Sequence, residues 1–355
     1  MPRHPEFWRL PGARRFVQRL LSHGRSRSVF VHDPIDPGLL AATIEGAVRE
    51  EGLDTCLRID GSDGRNLTLV DRLTATCGRR ATTIDGFALN LGYTVLVADG
   101  FAPSDPLGTE VGEFARAAAT RSDDAAPRVI AVGAAMDSGW SEPTWRAATT
   151  EGVLNHLDSA SFAAQGAKAY DTMPARLAVS VAIEVGAWDL EIVERIQSLP
   201  ELCAVRPDLH VDRWADERSG GWAGGAAAAW TRGSCDVWAG GPCVHPIFLA
   251  VNSPNLLARR VWRGHVAVLF PWLEEIRQAV VHRYASRLVA DPASFYDDVE
   301  SLDWGPICSQ MASEPPGVLR FLHGCRKLRN CLAHGRPADW QDIANCMRSF
   351  ERWAA

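Results

Sequence analysis

The sequence predicts an α/β domain built on a mostly parallel sheet, followed by an all-α helical bundle that runs to the last residue. Three observations carry this. Residues 28–199 alternate short β-branched runs with helical stretches. The runs are apolar with little alternation, as strands covered on both faces are. From about residue 255 only the helical period remains.

Taken in order, residues 1–27 read as an N-terminal helical segment. Their opening, MPRHPEFWRLPGARRF, is basic but lacks a following apolar stretch, so it is not expected to be a signal peptide. In the α/β domain, 28–199, the expected strands are SVFVHD (28–33), TCLRID (55–60), YTVLVAD (93–99), RVIAVG (128–133) and RLAVSVAI (176–183). Amphipathic segments such as 38–51 and 108–120 lie between them, and the order reads as an open sheet with helices on its faces. Residues 200–254 read as a helical and glycine-rich connecting region. SGGWAGGAAAAW (219–230) and WAGGPC (238–243) within it are expected as loops.

The helical part, 255–355, opens with NLLARRVWRGHVAVLFPWLEEIRQAVVHRYASRLV, which Pro271 should bend or break near Phe270. A second helix is expected within 292–312, starting after Asp291-Pro292. A third runs from about Gly317 to Ala333, with Val318, Phe321, Leu322, Cys325, Leu328 and Leu332 at helical spacing, and Gly335 and Pro337 stop it. The last helix starts near Asp339, an N-cap residue type, and carries Trp340, Ile343, Met347 and Phe350 on one stripe. Four or so antiparallel helices of this length make a bundle.

Composition narrows the function classes. Hydrophobic residues make up 46% and charged residues 23%, enough apolar side chain for a sizeable core. A net charge of −6 argues against a protein that coats nucleic acid generally, while leaving room for a local basic site. No apolar run reaches the roughly 18 residues a membrane span requires, so no membrane is expected. The nine cysteines contain no CxxC pair and are odd in number, which reads as reduced thiols in a cytoplasm. Cys235, Cys243 and His245 match no common zinc framework, and no metal or other cofactor is expected. Cys325 and Cys331 read as small apolar residues of a packed helix.

The third helix of the bundle ends in CRKLRNCLAHGRP (325–337). Arg329, Asn330 and His334 form an Arg-Asn-x-x-x-His pattern at its terminus. This segment resembles the motif of the HEPN family (higher eukaryote and prokaryote nucleotide-binding domains), over roughly residues 260–355. The resemblance implies metal-independent RNA cleavage in which the nucleophile is the RNA's own 2′-hydroxyl. It implies that His334 handles the proton, that Arg329 stabilises charge on the phosphorus centre, and that Asn330 orients the site. Imidazole and guanidinium suit those roles. Arg326, Lys327 and Arg336 flank the motif and are candidate RNA-phosphate contacts. Asn330 and His334 are i and i+4 and share a helix face. Arg329 and His334 are i and i+5, about 140° apart on an ideal helix, so they converge only if the helix frays at His334 or a second subunit completes the cleft. The Gly335 and Pro337 stop allows the fraying, and the family resemblance implies the second route as well, hence a homodimer. Another reading stays open, because Arg and His are common at helix C-termini for electrostatic reasons alone and Asn330 can be a structural amide.

In the front domain the first strand is followed by PIDPGLLAATI, without the Gly-Lys-Ser/Thr that cradles phosphate. The domain therefore resembles, at most, a degenerate P-loop ATPase in which the lysine is lost. YTVLVAD ends in Asp99 as a Walker B strand would. By the general rule for open α/β sheets, His32, Asp33, Asp60 and Asp99, at the carboxyl ends of the strands, are the candidate cofactor-binding positions. The expectation is an RNA endonuclease, a toxin or antiviral-defence effector, regulated by its degenerate NTPase-like domain and working with a partner protein of a defence system. The alternative is a non-catalytic scaffold subunit that mediates assembly in such a complex.

Overall fold

A computed structural model of the chain describes residues 4–22, 28–33, 35–52, 55–78, 81–121, 125–133, 145–166, 171–214, 230, 233–290 and 296–354. They fall into two compact units: Met1–Asp158 with Trp222–Cys243, and Ser159–Gly221 with Val244–Ala355.

The first unit is α/β. After α1 (Pro11–Ser22) come β1 (Ser28–His32), α2 (Pro37–Glu51), β2 (Thr55–Asp60), α3 (Leu69–Cys77), α4 (Ile84–Asn90), β3 (Thr94–Asp99), α5 (Pro106–Ala119), β4 (Arg128–Gly133) and β5 (Trp145–Thr149). The sheet order is β2-β3-β4-β1-β5, and every pairing is parallel. The apolar runs fold as expected: β1 and β3 are buried along their whole length, while β2, at one edge, alternates. Phe30, Leu57, Ile59, Leu96, Ala98, Val129 and Ala131 of the strands pack against Leu69, Leu73, Phe87, Val111 and Phe114 of the helices. Helix starts are set locally. Asp36 caps α2 by accepting from the Leu39 amide, with Pro37 behind it, and Thr68 and Asp71 form a capping box on α3.

Two features of the sheet differ from the sequence expectation. RLAVSVAI (176–183) is helical, not a strand. A short apolar run does not distinguish a buried strand from a buried helix, and here Thr172 caps a helix whose second position is Pro174. The fifth strand is instead Trp145–Thr149, which pairs with β1 from Ser28↔Trp145 to His32↔Thr149. It lies at an edge and is largely exposed, so it needs neither a β-branched run nor an apolar one. Within 219–230, only Trp230 is described; the rest of that expected loop lies outside the described residues. WAGGPC (238–243) is not the expected loop: residues 235–244 form a hairpin, β6 (Cys235–Trp238) and β7 (Gly241–Val244), and only Ala239 and Gly240 make its turn.

The second unit is helical. It comprises most of α6 (His156–Gly166), then α7 (Met173–Gly186), α8 (Leu190–Gln197), α9 (Glu201–Val205), α10 (Pro246–Asn252), α11 (Pro254–Arg283), α12 (Trp304–Gln310), α13 (Pro316–Ala333) and α14 (Trp340–Ala354). Pro271 does not break the long helix, because α11 runs through it. A proline inside a helix removes one hydrogen bond at a cost of about 3 kcal/mol. Burial of Leu269, Leu273, Ile276 and Val280 on the same helix offsets that. The second expected helix is shorter and later than the sequence suggested: residues 296–303 are not helical, and α12 starts only after its cap, Asp303. Residues 291–295 lie outside the described residues. The core joins Leu269, Leu273, Ile276, Trp304, Ile307, Phe321, Leu322, Cys325, Leu328, Leu332, Ile343 and Cys346. Gly264 lets α11 approach α7: a Cβ there would lie 2.7 Å from the Val181 Cα, and Ser180 Oγ donates to the Gly264 carbonyl at 3.0 Å.

Candidate functional site

The Arg-Asn-x-x-x-His segment occupies the last turn of α13. Its amphipathic stripe buries Phe321, Leu322, Cys325, Leu328 and Leu332, which turns Arg326, Lys327 and His334 outward and leaves Arg329 and Asn330 half-buried. The helix ends in a Schellman arrangement. The Gly335 amide donates to the Leu332 carbonyl at 3.0 Å and the Arg336 amide to the Cys331 carbonyl at 3.2 Å, with Gly335 at φ +72°. His334 is the residue at the cap, and its own amide still bonds to the Asn330 carbonyl at 3.1 Å. The helix therefore holds its hydrogen bonds up to His334 and turns only after it.

Three further contacts fix this terminus. The Trp262 indole donates from Nε1 to the Leu332 carbonyl at 2.7 Å. The Cys331 thiol lies 3.5 Å from both the Arg336 and Pro337 carbonyl oxygens. The Ala338 amide donates to His265 Nδ1 at 3.0 Å, while His265 Nε2 donates to the Val205 carbonyl at 2.9 Å. His265 is wholly buried, and burial lowers its pKa to about 4, so its imidazole is neutral at ordinary pH.

Arg329 faces a cavity of about 330 Å³ lined by Phe270, Leu273, Arg277, Asp303, Trp304 and others. Its guanidinium pairs with Asp303 Oδ2 at 2.6 Å and reaches Asn330 Oδ1 at 3.3 Å. The structure thus brings Arg329 and Asn330 together. His334 does not line that cavity; its side chain is exposed and makes no hydrogen bond among the described residues. Lys327 is paired with Asp342 at 2.7 Å, which raises its pKa, whereas Arg326 and Arg336 are exposed. An exposed pair of this kind is worth at most about 1 kcal/mol, so a phosphate can compete for such a lysine.

Sequence reasoning missed Asp303, Trp262 and His265. An aspartate one residue before an apolar helix start is a readable cap signal, but its pairing with an arginine many residues later is not. Nothing in the spacing of Trp262 or His265 marks them as partners of the 332–338 backbone.

In the α/β unit, the chain leaves β1 toward β2 at the far edge, whereas from β4 it proceeds to β5 in the opposite direction. Neighbouring strands β1 and β4 therefore form a topological switch point. Asp33 follows β1 there, buried, with its amide on the Gly133 carbonyl at 3.0 Å. Its carboxylate accepts from the Ile35 amide at 3.0 Å and the Asp36 amide at 3.4 Å. His32 is buried edge-on to the Trp230 indole, centroids 4.7 Å apart. Asp60 and Asp99 are register partners. Asp99 takes two hydrogen bonds from Arg58, at 3.0 and 3.3 Å, yet its pKa is raised because burial outweighs the guanidinium. Asp60 accepts from the Ser62 amide and hydroxyl, and that bonding lowers its pKa. The three carboxylates each take donors from the chain itself.

Among the described residues no group of three or more His, Cys, Asp or Glu is placed to hold a metal ion. His245 accepts the Ile247 amide on Nδ1 and donates from Nε2 to Asp189 at 2.7 Å, so it serves the backbone of α10. Cys325 and Cys346 are buried with their sulfurs 3.4 Å apart, as the packed-helix reading of Cys325 requires; Cys331 is only half-buried. No described helix is long and apolar enough to cross a membrane.

No family model matches the chain, and no curated protein matches it. One similar solved structure is a signal transduction ATPase with numerous domains (STAND) protein with a tetratricopeptide repeat sensor, from Pyrococcus horikoshii. It is 12% identical over 98% of this chain and 59% of its own, with a TM-score of 0.29. The chain thus spans less than two thirds of that protein's length, and the likeness is too slight to assign a fold or a function. None of these comparisons supports the HEPN-family resemblance expected over residues 260–355.

Proposed function

We propose that the helical unit is a metal-independent RNA endonuclease of the HEPN type, acting as a toxin or antiviral-defence effector. The supporting observation is the exposed His334 on a terminus whose backbone is pinned by Trp262, His265 and the Gly335 turn. In this reading His334 takes the proton of an RNA 2′-hydroxyl, whose oxygen bonds to the adjacent phosphorus as the P–O5′ bond breaks. The 5′-oxygen leaves as it takes a proton from water, and the products are a 2′,3′-cyclic phosphate and a 5′-hydroxyl. Arg329 stabilises the charge on the non-bridging oxygens, and Asn330 holds the guanidinium by its side-chain oxygen. Arg326, Lys327 and Arg336 steer the flanking phosphates. Arg329 and His334 project in different directions from one helix, so a second copy of the chain is proposed to complete the cleft.

The α/β unit is proposed to regulate, with no ATP hydrolysis, because Asp33-Pro34-Ile35-Asp36 stands where Gly-Lys-Ser/Thr would be and its amides already donate to Asp33. A ligand or partner protein of a defence system would engage it at the carboxyl-end positions His32, Asp33, Asp60 and Asp99.

The pairing of Arg329 with Asp303 and of Lys327 with Asp342 favours a second reading, a non-catalytic scaffold for assembly. Single-stranded and transfer RNA incubated with the purified chain discriminate the two. The nuclease reading expects cyclic-phosphate ends that disappear in His334→Ala and Arg329→Ala while both variants keep the wild-type melting curve. Intact RNA in all three preparations leaves the scaffold.

A further inference from the structure

We propose that Asp303 is a restraining carboxylate that sets how strongly Arg329 engages an RNA phosphodiester. The inference rests on the nuclease reading above and adds the group that regulates its arginine. Asp303 does two things at once. One oxygen caps α12 by accepting the Trp304 amide at 2.8 Å, and the other holds the Arg329 guanidinium at 2.6 Å. Both side chains of the pair are about one-third exposed, so solvent and a phosphate can reach them. The cap fixes Asp303 on the protein side, and only Arg329 is free to exchange one oxyanion for another.

A carboxylate and a phosphodiester compete for the same face of a planar guanidinium, since each offers two oxygens to its parallel N–H groups. While Asp303 occupies that face, its charge also opposes an approaching phosphate. The other cation in the cavity cannot replace Arg329. Arg277 donates to Glu274 and to the carbonyls of Glu300 and Leu302, and its side chain is only 14% exposed. The cavity beside the pair, with Phe270 and Leu273 in its wall, has the volume for a base next to the phosphate that Arg329 holds. Arg329 in this structure is thus a masked phosphate ligand, and Asp303 is its positioning residue.

The neutral variant Asp303→Asn separates the two jobs, because asparagine caps a helix as well as aspartate does. With a labelled single-stranded RNA oligonucleotide, D303N should bind about fourfold more tightly than wild type, the gain from removing one charge at about 5 Å in water. The slope of log affinity against log salt should steepen by about 0.7, the share of one added phosphate contact. The gain should vanish in Asp303→Asn combined with Arg329→Ala. Where wild type binds the RNA, unchanged affinity and slope in D303N overturn the proposal. Should D303N fail to fold, Asp303→Ser, also a capping residue, carries the same test. A second readout does not depend on RNA: the rate at which phenylglyoxal modifies Arg329, located by peptide mass spectrometry. Faster modification in D303N supports the restraint even where RNA is neither bound nor cut, an outcome that would overturn the nuclease reading alone. An unchanged rate overturns the restraint itself.

Discussion

The Trp262 indole donates to the Leu332 carbonyl oxygen at 2.7 Å, joining the first third of α11 to the last turn of α13. The last carbonyls of a helix have no partner inside it, so a side-chain donor at this point both satisfies one and fixes the direction in which the chain leaves. Leu332 O also accepts from Gly335, which makes this oxygen the hinge about which the His334 turn is built.

Replacing Trp262 with Phe keeps most of the apolar contact and removes that one donor. The expected cost is about 1 kcal/mol of stability in the helical unit. Faster hydrogen exchange at the Gly335 and Arg336 amides is expected with it, measured by mass spectrometry. Exchange unaltered at those amides would show that the turn holds without the indole.

His265 gives the helical unit a pH dependence with a definite sign. Its folded pKa, about 4, lies below the ordinary 6.5. Between those values the unfolded chain binds more protons than the folded one, so stability falls as pH drops from about 6.5 toward 4. The size is on the order of 3 kcal/mol at full development. Thermal melts across that range should show the loss. His265→Gln, which removes the imidazole, should flatten this part of the profile at the expense of a lower melting temperature throughout.

Gly264 faces Val181 so closely that a methyl group has nowhere to go. Gly264→Ala should destabilise the unit by about 1–3 kcal/mol through overpacking of α11 on α7, even though alanine is the better helix former. Denaturant titration decides the sign.

The β1–α2 loop spends its amides on its own aspartate. ATP with magnesium should leave the melting temperature of the wild-type chain unchanged and release no inorganic phosphate. Asp33→Asn should cost about 1–2 kcal/mol, because a charged acceptor of two amides becomes a neutral one. A saturable upward shift of the melting temperature by ATP would contradict this account.

The parallel sheet was legible because β1, β3 and β4 are buried on both faces, and that burial forces long apolar runs into the sequence. Trp145–Thr149 was not, since an exposed edge strand of small residues has no such constraint. Residues 176–183 misled for the complementary reason: an apolar run records burial, and burial is shared by strands and inner helices. The helix through Arg329 to His334 could be read to its last residue, because Gly335 must adopt the left-handed backbone that ends it. The partners that surround it could not. Asp303, Trp262 and His265 meet it through tertiary packing, which leaves no periodic mark in any one segment.

The register Val29↔Ile130 has a consequence for how the chain comes to be folded. β1 is made first, yet both strands that flank it arrive only about a hundred residues later, and β2 and β3 can join each other before either appears. The α/β unit also waits for Trp222–Cys243, which is synthesised after a stretch belonging to the helical unit. Long-range parallel pairing of this sort is slow to form. During that delay Val29, Phe30 and Val31 sit on a strand with two open edges, and newly made chains should be most prone to aggregate, and most dependent on chaperones, over that interval of translation.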